Sequence, residues 1–155
     1  MVTHALLTDM YQFTMMQGLF TQNKHRTRCV FDRFYRMNPF QGAYTVVAGL
    51  EQVIEYVKGL RFSEEDINYL RQTGVFAEEF LEYLTTFRFT GTIYAVPEGS
   101  VVFPGEVLLR VEAAKDEAIL METALSMFLN HESLIATKAR RIRSVIGKDG
   151  VAEFG

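Results

Sequence analysis

From Lys115 to Ile146 the chain carries one helical pattern, and no other stretch commits so many residues to a single element. Ile119, Thr123, Leu125 or Ser126, Leu129 and Leu134 fall at spacings that line one long buried face. Asp116 and Glu117 stand near its start, where carboxylates suit the positive end of a helix dipole. A run of this length exceeds the usual globular helix, so a break is expected near His131–Ser133. At its far end Lys138, Arg140, Arg141, Arg143 and Lys148 cluster. Cations favour the negative end of a helix and face water there; a phosphate or an acidic partner is the other reading.

The 155 residues before and around this helix make about one domain. The first helix begins near Thr8 as N-cap, with Met10, Phe13 and Thr14 on one face and Leu19 and Phe20 further on; Gly18 interrupts or ends it. Residues 21–27 read as a polar, basic loop. Residues 28–36 read as a strand with Phe31 and Tyr35 on one side and Val30 and Phe34 on the other, a pattern expected of burial on both faces. A short strand over 43–48 leads to Gly49, which opens a helix with the stripe Leu50, Val53, Ile54 and Val57. Ser63 and Asp66 have capping-box spacing before a helix closed by Gly74, and Phe76, Phe80, Leu81 and Leu84 mark another over 77–87. Short β runs follow at 92–96, 100–103 and 107–112, with Pro104–Gly105 as a hairpin signal. After a turn at 147–150, residues 151–155 read as a new strand. A terminal strand with no mate following it presents an open edge.

Generic chemistry is thin. The net charge of −3 does not advertise nucleic acid or membrane surfaces. No apolar run approaches a membrane span and no signal-peptide pattern opens the chain, so a cytoplasmic protein is expected. Cys29 is the single cysteine, which excludes an intrachain disulfide and a multi-cysteine metal site. His4, His25 and His131 lack metal-ligand spacing. There is no phosphate-cradling Gly-rich loop and no Gly-x-Ser-x-Gly elbow. The residues alone describe an α+β domain without an identifiable catalytic centre.

Several ordered blocks say more. Leu7-Thr8-Asp9-Met10-Tyr11-Gln12-Phe13-Thr14-Met15-Met16 resembles the N-terminal signature of nicotinate phosphoribosyltransferases. Residues 31–40, 48–56, 97–106, 134–139 and 153–155 resemble later blocks of the same family, in order and over nearly the whole chain. The resemblance implies the N-terminal α/β domain of a type II phosphoribosyltransferase over 1–150. It includes a small β-hairpin unit and ends at 151–155 in the first strand of a partial α/β barrel that is otherwise missing.

The family joins nicotinate to phosphoribosyl pyrophosphate with coupled ATP hydrolysis, and Mg²⁺ assists the leaving group. By the resemblance, Mg²⁺ and ATP belong to the complete enzyme and this chain alone binds neither. Tyr11 matches an aromatic that stacks on the pyridine ring from the adjacent subunit, and Phe154 the aromatic on the ring's other face. Asp9 matches the acid beside that site, and Arg36 an arginine that contacts phosphate across a dimer interface. The phosphorylatable histidine and most phosphate loops of the family have no match here, so no catalytic residue is assigned.

The expected protein is therefore the N-terminal part of the enzyme, inactive alone, acting as a homodimer or with a complementing C-terminal half. A non-catalytic interaction or regulatory domain is the alternative from another class. The related nicotinamide enzyme is the alternative within this one.

Overall fold

The computed structural model describes residues 5–152 and 154. Helix α1 spans Met10–Thr21, and its N-cap is Asp9 rather than Thr8. Gly18 neither breaks nor ends it. The buried face is Gln12, Phe13 and Met16, whereas Met10 and Thr14 face outward. Apolarity alone misplaces this face, because a polar residue, Gln12, occupies its centre and is paired there.

Strand β1 (Arg28–Phe34) lies at one edge of a three-stranded antiparallel sheet. The central strand is β5 (Val107–Ala114), and β3 (Thr92–Ala95) forms the other edge. The inward residues of β5, Leu109, Val111 and Ala113, alternate with Arg110 and Glu112 as a half-buried strand requires. Arg110 faces Asp32 across the β1–β5 pair and forks onto its carboxylate at 2.7 and 2.8 Å. That pairing holds the Asp32 carboxyl below its usual range. The expectation that β1 is buried on both faces is corrected: Val30, Phe31 and Phe34 are exposed, because nothing among the described residues covers the outer side of an edge strand.

A second sheet pairs β2 (Thr45–Val46) with β4 (Val101–Val102). The Pro104–Gly105 signal does make a tight turn: the Glu106 N–H donates to Phe103 O at 3.2 Å, and Gly105 adopts φ +84°. It does not make a hairpin. Both edges of β5 are taken by β1 and β3, so β4 pairs with β2 instead.

Helix α2 (Leu50–Gly59) starts at Gly49, whose φ of +102° suits glycine, and a Cβ there would sit 2.7 Å from Phe128 O. Its buried residues are Val53 and Tyr56, and Ile54 points outward, so the stripe turns by one position toward Tyr56. Tyr56 packs edge-on against Phe128. In α3 (Glu64–Gln72) the expected capping box forms, with the Asp66 N–H on Ser63 Oγ at 3.1 Å and the Ser63 N–H on Asp66 Oδ2 at 2.8 Å. In α4 (Glu78–Thr85) Phe80, Leu81 and Leu84 are buried as expected.

These elements pack around α5 (Lys115–Ile146), a single helix of 32 residues, roughly 48 Å long. The expected break at His131–Ser133 is absent. The Ser133 hydroxyl accepts the Ala48 N–H at 2.9 Å, and Thr137 Oγ accepts the Val46 N–H at 2.9 Å. Both side chains are fully buried, so two hydroxyls one turn apart satisfy the flank of β2 without disturbing the helix ladder. Val151, Ala152 and Phe154 belong to no strand. No described strand lies beside them to supply a ladder; Glu153 and Gly155 fall outside the described residues.

Candidate functional site

Asp9 and Tyr11 are brought together on the first turn of α1, against the N-terminal third of α5. The Thr123 hydroxyl donates to Asp9 Oδ2 at 2.9 Å. Tyr11 is half exposed, and the carboxylate of Glu122 pushes its hydroxyl above the ordinary tyrosine value, with burial and Asp9 adding to the effect. Beneath them, Gln12 is fully buried. Its Oε1 accepts the Asp9 N–H at 3.1 Å and the Thr8 hydroxyl, and its Nε2 donates to Glu122 Oε2 at 3.3 Å.

The other two candidates lie elsewhere. Arg36 is exposed on the loop after β1, with no hydrogen bond or ion pair to any described residue. Its neighbour Tyr35 fixes that loop to the middle of α5 by donating to Leu129 O at 2.9 Å. Phe154 is 96% exposed, past the far end of α5. From Glu122, beside Tyr11, to Ile146 the helix runs about 36 Å along its axis. Phe154 follows eight residues beyond that helix end.

Sequence reading missed three polar groupings. The first is the cluster of Gln12, Glu122 and Thr123; its signal was present as glutamine three residues after Asp9, the capping-box spacing. The second is Glu98, whose Oε1 accepts both the Gly49 and Leu50 N–H groups at 2.7 Å and so caps α2 from a distant loop. No local pattern announces that contact. The third lies at the start of α5, where Asp116 and Glu117 are fully buried. Arg26 Nη1 reaches Glu117 Oε1 at 2.7 Å, the Thr90 N–H donates to Glu117 Oε2 at 3.0 Å, and the Tyr83 hydroxyl donates to Asp116. Burial, then the Asp116 bond, pushes the Tyr83 hydroxyl well up. Every strong acceptor in that knot is occupied by the chain itself, which makes it a structural tie.

Among the described residues no group of three or more His, Cys, Asp and Glu is placed to hold a metal ion. No helix is long and apolar enough to cross a membrane. Cys29 is half-buried, and burial pushes its thiol up, away from nucleophilic character.

Comparison with known proteins agrees on one family. Residues 6–130 match the model of the nicotinate phosphoribosyltransferase N-terminal domain. The chain is similar to the nicotinate phosphoribosyltransferase of Bacillus subtilis, with 43% identity over 151 residues, covering 97% of this chain and 31% of that protein. The Dictyostelium discoideum nicotinate phosphoribosyltransferase is 44% identical over 153 residues, covering 97% of this chain and 26% of its own length. In structure, the chain superposes on human nicotinic acid phosphoribosyltransferase with a TM-score of 0.86 at 33% identity, over 93% of this chain and 29% of that one. The chain thus spans about a third or less of the relatives it matches.

Proposed function

The chain belongs to the nicotinate phosphoribosyltransferase N-terminal domain family, and from that premise we propose that it supplies the N-terminal part of an enzyme joining nicotinate to phosphoribosyl pyrophosphate. In the proposed reaction the pyridine nitrogen attacks C1 of the sugar as the C1–O bond to pyrophosphate breaks, giving nicotinate mononucleotide. ATP hydrolysis and Mg²⁺ belong to the complete enzyme. The setting would be the cytoplasm. The part played by this chain's residues is placement: Tyr11 offers one face for the ring, and Asp9 sets the local charge beside it. Offset stacking adds ~0.5–1.5 kcal/mol beyond burial.

The observation that carries this reading is the position of Tyr11. It is half exposed on a helix that also turns Met10 and Met15 outward, so the face has apolar surface to offer another chain. The end of α5 at Ile146 lies about 36 Å along the helix from Glu122, and Phe154 follows it in the chain. Following the family resemblance, we infer a homodimer with shared sites, the ring lying between Tyr11 of one copy and Phe154 of the other. Arg36, without a polar partner among the described residues, is available for a phosphate group.

The test uses this chain completed with a C-terminal portion. Tyr11→Ala is expected to cost ~1–3 kcal/mol of transition-state binding, chiefly as poorer use of nicotinate, with phosphoribosyl pyrophosphate little affected. Mixing Tyr11→Ala subunits with subunits inactivated in the C-terminal portion should restore activity at one site per dimer. Mixed dimers no more active than either parent would show that Tyr11 does not act across subunits. Alone, the 155-residue chain is expected to form no mononucleotide.

A further inference from the structure

Gln12 is fully buried in a face otherwise made of Phe13 and Met16, and polar side chains persist in such places only when their hydrogen bonds are met. Thr123 has one hydroxyl proton and lies 2.9 Å from both Asp9 Oδ2 and Gln12 Oε1. The charged carboxylate is the stronger acceptor and takes it. That leaves Gln12 Oε1 with two lone pairs for two donors, the Asp9 N–H at 3.1 Å and the Thr8 hydroxyl. Its Nε2 then donates across to Glu122 Oε2 at 3.3 Å. One amide therefore ties the chain before α1, the first turn of α1 and the flank of α5 together.

We propose that Gln12 is a positioning residue of this site, clamping the turn that carries Asp9 and Tyr11 onto Glu122 and Thr123 of α5 so that the Tyr11 ring is presented in one direction. The proposal rests on the reading of Tyr11 as a substrate contact. Tyr11 is the residue next to Gln12, about 100° around the helix, so the turn that buries the amide is the turn that holds the ring half exposed. Rotating Tyr11 by turning α1 about its axis breaks the two bonds that cross to α5, Gln12 Nε2 to Glu122 and Thr123 to Asp9. Apolar packing by Phe13 and Met16 fixes the helix against the core but permits small rotations about its axis; directional bonds do not.

Two readouts separate positioning from packing. In the chain itself, carbon-13-labelled tyrosine reports the ionisation of Tyr11, its signal identified by Tyr11→Phe and its sensitivity to the neighbouring charge calibrated by Glu122→Gln. Gln12→Leu keeps the volume and removes every bond of the amide. It should bring the Tyr11 titration down toward an ordinary tyrosine as the ring leaves Glu122. In the completed enzyme, well below the melting temperature, it should raise the KM for nicotinate about ten-fold with that for phosphoribosyl pyrophosphate little changed.

If Gln12→Leu fails to fold, Gln12→Glu retains the acceptor for Thr8 and Asp9 but removes the donor to Glu122. The added charge should then move the Tyr11 titration upward, and the nicotinate KM should rise. A lowered melting temperature with both the Tyr11 titration and the nicotinate KM unchanged makes Gln12 a packing residue and overturns the proposal. A shifted titration in Gln12→Leu, with nicotinate KM unchanged there and in Tyr11→Ala, overturns instead the reading of Tyr11 as a ring contact.

Discussion

From Asp116 to Leu129 helix α5 is walled in by the sheet and by α1 and α2, and Ala118 to Met121 have no outward side at all. From Leu134 to Ile146 the same helix buries only Thr137, and Leu134, Ile135, Ile142 and Val145 stand exposed, Val145 to 85%. The backbone is equally regular in both halves, because a helix satisfies its own N–H and C=O groups wherever it runs. The difference lies in what holds each half in place. The first half is fixed by apolar burial and by its knot of buried carboxylates. The second is held to β2 by two hydroxyls and to the 39–41 turn by Arg141, whose Nη1 donates to Phe40 O at 3.4 Å. A core and a strut share one helix: Asp9 and Tyr11 sit against the core half, and Phe154 follows the strut's far end.

The sharpest way to break this contrast is paired truncation. Leu120→Ala, at a fully buried position, should cost ~2–5 kcal/mol in denaturant unfolding, whereas Val145→Ala should stay within ~0.5 kcal/mol. Equal losses would mean that the distal half is as much core as the proximal one. A smaller effect tests the hydroxyl pin. Ser133→Ala leaves the buried Ala48 N–H without its acceptor and should cost ~1–2 kcal/mol, with amide exchange at Ala48 and Val46 accelerating more than exchange in β5.

The proximal knot has its own signature in alkali. The fold raises the Tyr83 hydroxyl by burial and by its bond to Asp116, so it favours protonated Tyr83. An unfolded chain loses that proton near pH ~10. The stability Tyr83 contributes is thus whole below that point and lost as pH climbs toward the folded value. Melting temperature should fall above pH ~10, and Tyr83→Phe should flatten the fall; an unchanged slope would place the alkaline loss elsewhere. The smallest expected effect is Arg141→Ala, within ~0.5 kcal/mol, because its bond to Phe40 O is long. A larger loss would show the strut to be braced more firmly than by its hydroxyls.

Much of this molecule was legible along the chain. Helical periodicity placed α2 to α4 and the extent of α5, the Ser63–Asp66 spacing gave a real capping box, and the Pro104–Gly105 turn formed. All of these are decided within a few residues, by dihedral preferences and by which neighbours meet on one face. The blocks that resemble the family named Asp9 and Tyr11 for the site; their place beside α5 came only from the fold.

Partner choice was settled only in three dimensions. The Pro104–Gly105 turn could not reveal that both edges of β5 were already occupied, so β4 looked like half of a hairpin. The His131–Ser133 stretch looked like a break, because the N–H groups that make a buried serine and threonine welcome there belong to residues 85 and 91 positions away. Gln12 gave no sign of its burial, since its acceptor Glu122 is 110 positions distant. Sequence determines what each segment can hydrogen-bond and bury. Which of those capacities are used depends on what the folded chain brings within about 3 Å, and that is decided only when the core closes.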